Sequence, residues 1–69
     1  MLKMDEYTHG ALVAVSILMA VHDQPVMAAD VLKEMGLQNA DVKELDDYDK
    51  KNLRRVQGEL DGHIRLRGL

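Results

Sequence analysis

Residues Ala11 to Val21 read ALVAVSILMAV, eleven positions of which only Ser16 is polar. A helix that is apolar on every side must be covered on every side, and a chain of 69 residues has little mass with which to cover it. At about 1.5 Å per residue the run reaches only half-way through a ~30 Å bilayer core and falls short of the ~18 residues of a membrane span. Its flanks, Asp5, Glu6 and Asp23, are the wrong charge for an interfacial helix on anionic lipid. The expected cover is protein.

A domain this small buries about 60% of its unfolded surface and gains roughly 3–5 kcal/mol from its core. The sequence has no cysteine, which removes disulfides, thiolate metal sites and thiol nucleophiles from consideration. Oligomerisation is the remaining means of stabilisation. Two Tyr are the only aromatics, so Leu, Val, Ile, Ala and five Met build the core. Met19 and Met27 are expected inside, Met35 at either place, since methionine fills irregular gaps. The start lacks a basic segment, a cleavage site and a long apolar stretch, so a cytoplasmic location is expected.

Punctuation along the chain divides a single domain, 1–69, into short helices. Asp5 is a fit N-cap for a first helix running to about His22 despite Gly10. Pro25 suits the first turn of a second helix, with Asp23 or Gln24 capping and Gly36 terminating it. Gln38 to Asp41 reads as a loop, after which Val42 and Leu45 face the core from a single turn. A last helix starts at Asp46 or Asp47, because Leu53, Val56, Leu60 and Ile64 recur at helical spacing. On it Asp47 and Lys51, and Asp61 and Arg65, stand four apart with acid before base. The stretch HIRLRGL alternates after His63 and reads as helix end or short strand. Gly58 and Gly62 mark a close approach or a fraying end. The expected class is an all-α domain of three to four short helices, completed by homodimerisation.

Charge is distributed unevenly around the net of −3. Asp41, Glu44, Asp46, Asp47 and Asp49 crowd into nine positions, followed at once by Lys50, Lys51, Arg54 and Arg55. Such clusters are either solvated helix ends or, for the acidic one, a docking surface for a basic partner.

The stretch ADVLKEMGLQNADVKEL places Gly36 at a turn, Leu37 after it, and Val42 and Leu45 six and nine residues past the glycine. In that spacing it resembles a helix-turn-helix motif, with Leu32 where alanine is usual. The resemblance implies DNA binding, with Gln38 and Asn39 toward the groove and Arg54 and Arg55 available to phosphate. The carboxylates of the same segment oppose the phosphate charge that supplies most nucleic-acid affinity, so this is the second choice.

Catalysis finds no constellation. His9, His22 and His63 are far apart, and no HExxH, GxSxG or phosphate-cradling glycine loop is present. No cofactor or metal is expected. The sequence therefore reads as a non-enzymatic interaction or regulatory module, of the kind microbes and phages use to modulate a larger protein. Its expected partners are a second copy through Val13, Ile17 and Val21, and an unidentified protein. A structural subunit of a hetero-oligomer is a further alternative.

Overall fold

The computed structural model describes residues 5–59 and 64–69. Within them lie three helices, α1 (Glu6–His22), α2 (Pro25–Glu34) and α3 (Asp47–Glu59), each packed against the other two.

Local chemistry sets the helix ends. The Asp5 side chain accepts the Thr8 N–H at 2.6 Å, which satisfies one of the N–H groups that have no partner inside the helix. The Thr8 backbone N–H, then the Thr8 side chain, hold the Asp5 carboxyl below its ordinary value. At the other end Asp23 adopts φ 50° and returns its N–H to the Met19 carbonyl, a left-handed stop that aspartate tolerates better than most residues. Gln24 completes the two-residue link, and Pro25, lacking an N–H, opens α2 at a position where none is needed.

Gly36 ends α2 at φ 70°. The Leu37 N–H reaches the Leu32 carbonyl at 2.8 Å and the Gly36 N–H the Lys33 carbonyl at 3.1 Å, the paired bonds of a Schellman stop. The accompanying apolar residue, Leu37, packs against the core.

Residues 37–46, where a helix-turn-helix would place its second helix, are turns and one bridge, and Val42 and Leu45 are buried from them. Asp46 then caps α3, accepting the Asp49 N–H at 2.9 Å on its side chain.

The C-terminal stretch is extended and pairs in parallel with the segment before α3. Arg65 N–H donates to the Gln38 carbonyl, Arg67 N–H to Ala40, and Val42 N–H to Arg67, all at 2.8–2.9 Å, around the bridge Asp41–Arg67. Ile64 and Leu66 are buried while Arg65 and Arg67 are exposed, the alternation of a strand. Of the two readings open for this stretch, helix end or short strand, the extended one is observed, and the helical spacing does not continue to Ile64. Leu53 and Val56 are buried on α3, but Ile64 reaches the core from the extended tail, to which Arg65 also belongs. Leu60, Asp61, Gly62 and His63 lie outside the described residues. Met19 is buried as expected, whereas Met27 is 53% exposed because α2 turns Ala28, Ala29 and Leu32 inward instead.

Two glycines at positive φ differ in surroundings. A Cβ on Gly36 meets nothing within 4 Å, whereas one on Gly68, at φ 82°, comes within 2.8 Å of the Lys43 backbone nitrogen and the Asp41 carboxylate. Gly36→Ala is expected to cost only the left-handed penalty, about 1–2 kcal/mol. Gly68→Ala adds a backbone collision and costs more, as urea denaturation of the two variants will rank them.

The Asp5 cap predicts a pH dependence. A carboxyl lowered by folding contributes stability that is present above its unfolded value of about 3.9 and lost as pH falls through the lower folded one. Asp5→Asn keeps a capping oxygen but not the charge. The stability gap between it and the parent should close below that window when thermal melts are compared from pH 6 downward.

Candidate interaction surface

α1 departs from the usual rule at Ser16 and its neighbours. Ser16, the one polar residue of the apolar run, is 0% exposed, while Ile17 beside it is 46% and Val21 66% exposed. The reason sits on α3, where Asn52, also buried, donates from Nδ2 to Ser16 Oγ at 2.9 Å. A satisfied polar pair costs little to bury. With Ser16 held inward, Leu12, Val15 and Met19 fill the core beside it.

The opposite side carries a regular stripe. Tyr7, Gly10, Ala14, Ile17 and Val21 are all exposed, at spacings of three, four, three and four, the a/d repeat of a coiled-coil seam. Ala11, Val13, Leu18 and Ala20, half-buried, flank it, and no charged residue occurs between Gly10 and Val21. Single exposed apolar residues are ordinary, but a contiguous apolar stripe marks a contact site. On α2, which packs against α1, Val26, Met27 and Val31 are exposed as well.

Of the three residues expected at an interface, Ile17 and Val21 therefore lie on the exposed seam. Val13 stands on its flank and packs partly against the core. Tyr7, Gly10 and Ala14 complete the seam and escaped the sequence reading. Their spacing was visible, but in an all-apolar run nothing local says which side faces out.

Four of the five acidic residues, Asp41, Glu44, Asp46 and Asp47, are exposed, and two of these also serve the fold locally. Asp46 caps α3, Asp41 accepts the Lys43 N–H at 3.1 Å, and Asp49 is 7% exposed. Asp49 is thus the one member of the cluster withdrawn from solvent. The arginines are engaged too. Arg55 Nη2 lies 2.8 Å from Asp23 Oδ1, tying α3 to the α1–α2 corner, and Arg54 Nη2 donates to the Leu69 carbonyl at 2.7 Å. Both ends of the Arg55–Asp23 pair are solvated, so it contributes at most about 1 kcal/mol.

Among the described residues no three His, Cys, Asp or Glu side chains stand together as a metal site would require. His9 and His22 are exposed on α1, and His63 lies outside the described residues. An open depression of about 480 Å³ beside Asp30, Lys33 and Glu34 is bordered by solvated side chains of mixed sign. Among the described residues no helix is long and apolar enough to cross a membrane. No family model, curated protein or solved structure matches the chain.

The buried pair yields a prediction. Asn52→Ala strands the Ser16 hydroxyl and opens a small void, at about 1–3 kcal/mol, whereas Ser16→Ala combined with Asn52→Leu removes both polar groups and is expected to recover part of that loss. A double-mutant cycle in urea measures the coupling.

Proposed function

We propose that the chain is a non-enzymatic protein–protein interaction module, regulatory in role, which assembles with a second copy of itself through the outward face of α1. One observation carries the reading: the apolar run buries its only polar residue and turns Ile17 and Val21 to solvent. Leaving apolar area in water forgoes roughly 25 cal/mol per Å², a large sum for a core of this size. A partner that covers the stripe recovers it.

The DNA-binding reading draws no comparable support. The residues after Gly36 are turns paired to the tail, and Arg54 and Arg55 are each bonded within the fold. A role as one subunit of a hetero-oligomer would use the same face and differs only in what covers it.

Sedimentation equilibrium at micromolar concentration tests the proposal, with twice the 7.8 kDa chain mass as the expected result. Ile17→Asp should yield a folded monomer, because Ile17 is exposed in the single chain and its carboxylate meets an apolar surface only in the assembly. Val13→Asp should cost folding stability as well, since Val13 packs against the core. A parent chain that stays at 7.8 kDa overturns the self-association reading.

A further inference from the structure

We draw no further inference here: the strongest candidate, the exposed apolar patch that Ile17 and Val21 of α1 form beside Val26, Met27 and Val31 of α2, belongs to the surface already described, and nothing in the structure shows what covers it.

Discussion

The hydrogen bond between Ser16 and Asn52 sets the rotation of α1, and the rest of the molecule follows from that rotation. In an otherwise apolar helix every angular setting buries a similar amount of hydrocarbon, so hydrophobicity alone chooses no inward side. The hydroxyl breaks the tie. Buried against a matched amide it is satisfied, and buried against hydrocarbon it would cost about 1–3 kcal/mol. One setting therefore places Leu12, Val15 and Met19 under α2 and α3, and the same setting sends Ile17 and Val21 outward. The exposed face is thus a direct consequence of how the core is keyed.

Below that helix, the core is closed by pieces that are not helical. Val42 and Leu45 enter from turns, Ile64 and Leu66 from the extended tail, and three backbone hydrogen bonds hold the two segments side by side. The tail also lies along α3. Leu66 N–H donates to Gln57 Oε1 and the Leu69 carbonyl accepts from Arg54, three residues earlier on the helix, so the strand descends α3 as the helix ascends. Gly68 permits the final crossing over Lys43. The arginines that the sequence offers to phosphate serve here as fasteners, Arg54 for the tail and Arg55 for the α1–α2 corner.

The three helices were legible because their ends are written locally. Asp5, Gly36 and Asp46 act through bonds spanning three to five residues, Pro25 through the N–H it lacks, and each behaves as its chemistry implies. The tail was half legible: alternation of Ile64, Arg65, Leu66 and Arg67 was visible, but the helical spacing from Leu53 through Leu60 competed with it, and the deciding partner, Gln38 to Val42, is remote in sequence. The seam was harder. Val13, Ile17 and Val21 were grouped by four-residue spacing, whereas the outward centre runs through Ala14. That offset depends on Asn52, thirty-six residues from Ser16, and no local pattern encodes it. Asp49 is a similar case, an acid drawn under cover by the packing of α3.

A helix with one buried face tolerates drift on its other side, since substitutions there meet only water. α1 lacks that freedom between Leu12 and Val21 if both of its sides are occupied. Its positions would then divide between residues that must suit the interior and residues that must suit whatever covers the seam. Such a helix is slow to diverge by single steps. A substitution at Ala14 or Ile17, both exposed, spares the interior and would be felt only by what lies against the seam.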